Sequence, residues 1–139
     1  MASRNRAGIC ALLLLACAVA HGGDAAQNYL RFCQGCHTAT GAGLEGKVPD
    51  LRPVLVPMAK LAEGRKYLVR VPGVAQSTLG DAEAAAVLNW MLRNLADQKN
   101  IAGLQAFTAQ EVEAYRRTRM LEVRKTRETL LARIAADGG

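Results

Sequence analysis

Cys33-Gln34-Gly35-Cys36-His37 is the stretch of this 139-residue sequence that decides its fold. The two thiols are three residues apart, which places them on one helical turn, and an imidazole follows directly. This C-x-x-C-H spacing is the one by which a c-type haem is attached. Each thiol can form a thioether to a haem vinyl group, and the imidazole of His37 then lies beneath the iron as an axial ligand.

Two other uses of a C-x-x-C pair are a redox-active dithiol and half of a zinc site. A zinc site would need a second Cys/His pair at short spacing, and none follows downstream. A thioredoxin-like dithiol belongs to a βαβ pattern, and no segment shows the sustained alternation that predicts strands. The haem interpretation is therefore preferred.

The first 20 residues have the pattern of a secretory signal peptide. Arg4 and Arg6 form a basic start, residues 9–19 are almost wholly apolar, and Ala18-Val19-Ala20 is an A-x-A cleavage site. The segment is too short and wrongly flanked for a transmembrane helix. We therefore expect a periplasmic chain with no transmembrane segment after cleavage.

The cysteine count and the charge limit the classes of function that fit this chain. Cleavage after residue 20 removes Cys10 and Cys17, so two of the four cysteines remain and a disulfide framework is excluded once both hold haem. Leu14-Leu15-Ala16-Cys17 also resembles a lipobox, which would give a lipid anchor at Cys17 as an alternative. The remaining chain has 16 basic and 12 acidic side chains. Because it is exported and lacks a basic surface interleaved with aromatic residues, nucleic acid is not an expected partner.

Apolar residues at helical spacing, separated by loops, predict an all-α fold. Asp24 is expected to cap a first helix that directs Tyr29 and Leu30 into the core. Residues 38–48, with three glycines, are expected to form a loop.

Prolines mark the predicted helices of the middle region. Pro57 is expected to open a short helix. Residues 64–70 form or continue a helix until Pro72-Gly73 stops it.

The clearest predicted helix covers residues 81–95. Gly80 is its expected N-cap and Glu83 takes the third helical position. This helix should pack across the first one, with Trp90 in the core, at the contact between the two helices or at a haem edge. Its apolar stripe consists of Ala84, Val87, Leu88, Met91 and Leu95.

Residues 24–97 resemble a class I cytochrome c, a small all-α haem domain in which the N- and C-terminal helices cross beside the C-x-x-C-H turn. The motifs that carry the resemblance are Cys33, Cys36 and His37, the glycine-rich loop leading to Val48-Pro49-Asp50-Leu51, and the helix with Leu88-Asn89-Trp90-Met91-Leu92. The resemblance implies one covalent haem c, a protein redox partner, and an electron carrier rather than an enzyme. It also implies that the carbonyl of Pro49 orients the His37 ring through Nδ1, and that Leu51 packs on the haem face.

The sequence departs from this family at the distal side of the iron. The usual ligand there is a methionine in the loop before the last helix, whereas residues 71–79 contain neither Met nor His. We expect either that Met58 crosses from an earlier loop or that the site is open; Met91, Met120 and His21 are further alternatives.

An open site would favour a second function, namely a small-ligand-binding or weakly peroxidatic haem protein. A third alternative is a cytochrome subunit of a larger dehydrogenase or oxidase complex.

Residues 99–139 extend beyond the haem domain, which is expected to span residues 21–98. Thr108 and Glu111 have the spacing of a capping box, and a helix is predicted from there to about Ile134. Because the motif and both crossing helices precede Asp97, a chain that ends there is expected to fold. Phe107 and Val112 are placed as a hydrophobic staple for the predicted helix.

Six cations predict a basic face on this helix. The helix is either solvated and braced on the haem domain, or its basic face is a docking surface for an acidic redox partner. The six cations are Arg116, Arg117, Arg119, Arg124, Lys125 and Arg127.

Overall fold

The computed structural model describes residues 24–99 and 101–137. The predicted signal peptide, Cys17 and His21 lie outside these residues. Within the two ranges no strand is formed and no helix is long and apolar enough to cross a membrane. Their helical content confirms the all-α prediction. The helices are α1 (Ala25–Phe32), α2 (Gln34–His37), α3 (Leu55–Lys60), α4 (Ala62–Arg70), α5 (Pro72–Ala75), α6 (Asp81–Asn94), α7 (Ala109–Arg116) and α8 (Val123–Ala136).

Helix α1 leads directly into the C-x-x-C-H turn. The carboxylate of Asp24 accepts a hydrogen bond from the N–H of Ala26 at 3.0 Å, as predicted for an N-cap. Tyr29 is fully buried, whereas Leu30 is 48% exposed. The prediction for Leu30 is wrong, because successive helical residues point about 100° apart and α1 packs on α6 along one side.

Helix α6 packs against α1, as predicted. The Glu83 carboxylate accepts a hydrogen bond from the Gly80 N–H at 2.9 Å at its start. The rings of Tyr29 and Trp90 lie 5.1 Å apart between centroids and join the two helices. The stripe at Ala84, Val87, Leu88 and Met91 is buried, while Leu95 is half-buried just beyond the helix end.

Of the two predicted proline boundaries, the one at Pro57 is displaced, whereas α4 ends at Arg70, before Pro72-Gly73, as predicted. Helix α3 begins at Leu55, so Pro57 takes its third position rather than its first. Pro72 begins α5 rather than only ending the helix before it. Both placements are tolerated because first-turn N–H groups have no partner within the helix, and proline loses nothing by lacking one.

The extension contains two helices where one was predicted. Helix α7 ends at Arg116 and α8 begins at Val123. At the break, Nε and Nη2 of Arg70 donate to the carbonyls of Thr118 and Arg119 at 2.7 and 3.0 Å. The freed carbonyls are thereby satisfied, and the chain turns so that α7 packs on α4 and α6 while α8 packs on α3 and α4.

Arg116 does not belong to the predicted basic face. Its side chain is only 16% exposed and donates to the Asp81 carboxylate at 2.9 Å. It also donates to the carbonyls of Val74, Ser77 and Leu79, at 3.1, 3.3 and 2.9 Å. These contacts tie the end of α7 to the segment before α6.

The extension contributes to the hydrophobic core. Phe107, Val112 and Leu130 are 3%, 0% and 4% exposed and pack with the core of α1–α6. The Asn89 amide exchanges two hydrogen bonds with the backbone of Phe107, at 2.8 and 2.9 Å. The bracing interpretation therefore describes this part of the chain.

Candidate functional site

The two motif thiols are placed by the junction of α1 and α2. The N–H of Cys33 donates to the Tyr29 carbonyl at 2.9 Å, and the N–H of His37 donates to the Cys33 carbonyl at 3.0 Å. Cys33 is half-buried, Cys36 is exposed, and neither is in a disulfide. Burial, with a smaller effect from neighbouring Cys36, raises the pKa of the Cys33 thiol to about 11. The motif therefore presents one protected and one accessible sulfur.

The imidazole of His37 is oriented by the backbone of the loop that follows the motif. Its Nδ1 lies 3.2 Å from the carbonyl oxygen of Pro49. Burial lowers the pKa of His37, with an opposing smaller effect from the Pro49 contact, so the neutral ring is favoured. With Nδ1 donating to the carbonyl, Nε2 keeps the lone pair that an iron ligand requires.

Gly43 allows Pro49 to lie behind the imidazole. Its φ is +67°, and a Cβ at this position would lie 2.4 Å from the Val48 carbonyl oxygen and 2.5 Å from that of Pro49. Its N–H donates to the His37 carbonyl at 3.0 Å. The N–H of Gly43 thus joins the loop to the motif, and its lack of a side chain leaves room for the backbone of Val48 and Pro49. Sequence reasoning did not single it out, although the glycine spacing of the loop was the available signal.

A buried phenol supports the chain that leaves the motif. The Tyr29 hydroxyl donates to the Thr38 carbonyl at 2.7 Å, and Thr38 has an unusual positive φ of 64°. Burial raises the pKa of Tyr29 to about 12, so the hydroxyl keeps its proton. Further along, the N–H of Leu51 donates to the Gly41 carbonyl at 2.8 Å, which places the half-buried Leu51 beside the loop.

The residues at this turn fit a covalent haem. Two unpaired thiols and one oriented, neutral imidazole supply the required attachment and ligand groups. In addition, Oε1 of Gln34 is buried and has no hydrogen-bond partner among the described residues. This acceptor is open to a donor that the described residues do not supply, such as a water molecule.

The candidate distal residues lie in the core. Met58 is 1% exposed within α3, and Gly64 approaches so closely that its Cβ would lie 2.1 Å from the Met58 carbonyl oxygen. Met91 is 5% exposed on the stripe of α6. Met120 is half-buried in the α7–α8 connection. All three positions have the burial of packing side chains.

A closed zinc site needs four ligands, typically Cys and His. Across residues 24–99 and 101–137, no three His, Cys, Asp or Glu side chains are grouped so that they could hold a metal ion.

Comparison with known proteins identifies the family. No family model matches the chain. A cytochrome c-552 of Thermus thermophilus is 33% identical to it over an alignment of 111 positions. The alignment covers 67% of this chain and 84% of the relative. The chain belongs to the class I c-type cytochromes. A second cytochrome c-552 of Thermus thermophilus is also 33% identical over 111 residues, and 74% of that relative is covered.

Membership in this family assigns the chain to electron transfer through covalently bound haem. The alignment also contains a difference in length. Because 67% of 139 residues is fewer than the 111 aligned positions, each relative carries residues within the matched region that this cytochrome lacks.

Proposed function

We propose that this cytochrome is a periplasmic carrier of single electrons, with one haem c attached through Cys33 and Cys36 and ligated by His37. The observation that carries the proposal is the 3.2 Å contact between Nδ1 of His37 and the Pro49 carbonyl, directly beside two unpaired thiols. The sequence contains a single C-x-x-C-H motif, which supports one haem. When bound, the haem supplies a one-electron ferric/ferrous couple.

Each residue has a separate task in this proposal. Pro49 fixes the plane of the His37 ring and raises its basicity, while Leu51 provides an apolar side chain at the same loop. Cys36, the exposed thiol, attaches the haem where a partner protein can approach. No catalytic residue is proposed, because the described turn presents attachment and ligand groups only.

The attachment test replaces the two thiols. In Cys33→Ala/Cys36→Ala, haem should be extracted by acid acetone or lost, because no thioether remains. The single variants should keep one thioether and an altered absorption spectrum. A double variant that retains its full covalent haem signal would contradict the assignment of these cysteines.

A second candidate function is the binding of a small ligand at an open distal site. It is favoured by the burial of Met58 and Met91, at 1% and 5% exposure, and by the lack of Met and His in residues 71–79. A Met58 ligand would support the carrier, whereas an iron without a protein ligand on that side would admit carbon monoxide.

Met58→Leu separates these two functions, since leucine keeps the buried volume and removes the sulfur. If Met58 is a ligand, the variant should lose the long-wavelength ferric sulfur-to-iron band and bind carbon monoxide. Its reduction potential should fall by on the order of 100 mV, given that axial ligands set potentials over about 0.8 V. If Met58 only packs, the spectrum and potential should match those of wild type. Met91→Leu tests the alternative ligand in the same way. Rapid carbon monoxide binding by wild type would then favour the small-ligand function.

The periplasmic address and the partner are part of the same proposal. Mass spectrometry of the exported protein should show a chain that begins at His21, and a lipid-modified Cys17 would support the anchored alternative instead. The net positive charge of the exported chain favours an acidic redox partner. Co-purification with dehydrogenase or oxidase subunits would favour the complex-subunit alternative.

A further inference from the structure

The connection between α7 and α8 displays an apolar side chain on a fixed backbone. Leu121 is 80% exposed, whereas the large apolar residues of α7 and α8 are buried or half-buried. The backbone just before it is held by Arg70, which donates to the carbonyls of Thr118 and Arg119 at 2.7 and 3.0 Å. The exposure of Leu121 is therefore built into the fold at a clamped turn.

Three cations close to Leu121 in the chain lack a counter-ion among the described residues. Arg119, Arg124 and Lys125 are exposed, and no carboxylate in the described ranges forms an ion pair with them. By contrast, other arginines of the extension are neutralised. Arg116 pairs with Asp81, Arg117 with Glu113, and Arg133 with Glu63. Within the extension, the exposed cations without an ion pair therefore lie close to Leu121 in the chain, while Arg31, Lys60 and Arg93 are exposed without an ion pair elsewhere in the described ranges.

We propose that Leu121, Arg119, Arg124 and Lys125 form a docking surface for an acidic protein. The three cations would attract its carboxylates, and Leu121 would fill an apolar depression between them. The proposal deepens the proposed function, on which it rests for the existence of a partner, and assigns the partner to a defined surface of the extension.

The same residues do not form a membrane-binding helix. A helix that lies on a bilayer must keep its apolar face free, whereas α8 buries Leu130 at 4% exposure against the core. A single protruding leucine among cations suits a depression in a protein surface better than a lipid interface.

The docking surface lies on the extension, away in sequence from the thiols. Helices α7 and α8 pack on α3, α4 and α6, while Cys36 is on α2. Docking at Leu121 would therefore hold the partner by the extension, and the surface around the exposed Cys36 would remain free for a separate contact.

The test uses the haem-loaded full chain and a synthetic peptide of eight glutamates flanking two central leucines. Binding is followed by NMR titration of the reduced protein and by fluorescence anisotropy of labelled peptide. We expect shifts concentrated at residues 117–125. Arg119→Gln/Arg124→Gln/Lys125→Gln should weaken binding about tenfold or more and reduce its dependence on salt. Leu121→Ser should weaken binding of this peptide but not of a version with serines in place of the leucines.

The control Arg31→Gln/Lys60→Gln/Arg93→Gln removes the same charge from three exposed positions elsewhere. Equal weakening by this control, or shifts centred on residues 33–37, would overturn the docking surface. Binding to phosphatidylserine/phosphatidylcholine vesicles but not to the peptide would overturn it in favour of a membrane. Absorption spectra and reduction by dithionite are recorded for every variant. A wild type that holds no reducible haem would refute the proposed function, whereas normal haem with no peptide binding would refute the docking surface alone.

Discussion

At the scale of single residues, the C-x-x-C-H turn and the loop after it depend on backbone contacts that only a few residue types permit. Gly43 lies with a φ of +67° where any Cβ would meet two carbonyl oxygens. Gly46 has a similar φ of +70°, yet a Cβ there would meet nothing within 4 Å. The two glycines therefore separate the effect of backbone conformation from that of close packing.

Gly43→Ala should destabilise the haem-loaded protein by about 2–4 kcal/mol, because a left-handed alanine and an overpacked contact both cost free energy. Gly46→Ala, with the conformational cost alone, should lose about 1–2 kcal/mol. Guanidinium unfolding followed by circular dichroism measures both. Equal losses would show that the Gly43 contact with Pro49 does not constrain the loop. A spectral change in Gly43→Ala alone would show that His37 has also moved.

At the scale of helices, the extension is fastened by arginines that reach backbone carbonyls. Arg65 is 13% exposed, donates to Glu111 at 2.6 and 2.7 Å, and lies 3.9 Å from the centre of the Phe107 ring. Arg116 ends α7 by donating to Asp81 and to three carbonyls. Because the guanidinium offers several donors in fixed directions, one side chain can satisfy a whole irregular segment.

Arg116→Gln should destabilise the protein by about 2–3 kcal/mol, since buried carbonyls and the Asp81 carboxylate lose their donor. The neighbouring Arg117 is 72% exposed and pairs only with Glu113 on the same helix. Arg117→Gln should therefore change stability by less than about 1 kcal/mol. Thermal unfolding of both variants provides the comparison. Similar midpoints would indicate that the Arg116 contacts add nothing to the attachment of α7.

At the scale of the whole molecule, the core is shared between the haem domain and the extension. Phe107, Val112 and Leu130 come from the extension, and each is at most 4% exposed. Burial of such a side chain contributes about 1.5–3 kcal/mol. The total approaches the net stability of a small domain, about 5–15 kcal/mol. The structure therefore gives a different expectation from the sequence for a chain that ends at Asp97.

A chain ending at residue 97 should be strongly destabilised, because it lacks all three buried side chains and the partners of Arg65 and Asn89. A chain ending at residue 122 keeps Phe107 and Val112 and loses Leu130 with α8, so it should lose about 1.5–3 kcal/mol from that side chain. Unfolding of the haem-loaded chains, followed by circular dichroism, ranks them. If the shortest chain unfolds at the same midpoint as the full one, residues 21–98 fold independently, as the sequence had indicated.

The sequence by itself determined the features that are local. The C-x-x-C-H spacing, the Asp24 and Gly80 caps and the period of the α6 stripe each depend on residues within a few positions of one another, and they predicted the helical fold and the motif. Local sequence does not predict which side of α1 is buried, because Leu30 and Tyr29 have similar local patterns. Only the position of α6 distinguishes them.

The tertiary structure alone decided the features that join distant segments. Arg116 was predicted on an exposed basic face, yet it donates to the Leu79 carbonyl, 37 residues away in the chain. Arg70 carried no signal in the sequence, yet it donates to carbonyls 48 and 49 residues away, at the break between α7 and α8. Gly43 looked like an ordinary loop glycine until the return of Val48 and Pro49 placed two carbonyls against it. Such contacts depend on where irregular backbone leaves its polar groups, and helical periodicity contains no information on that position.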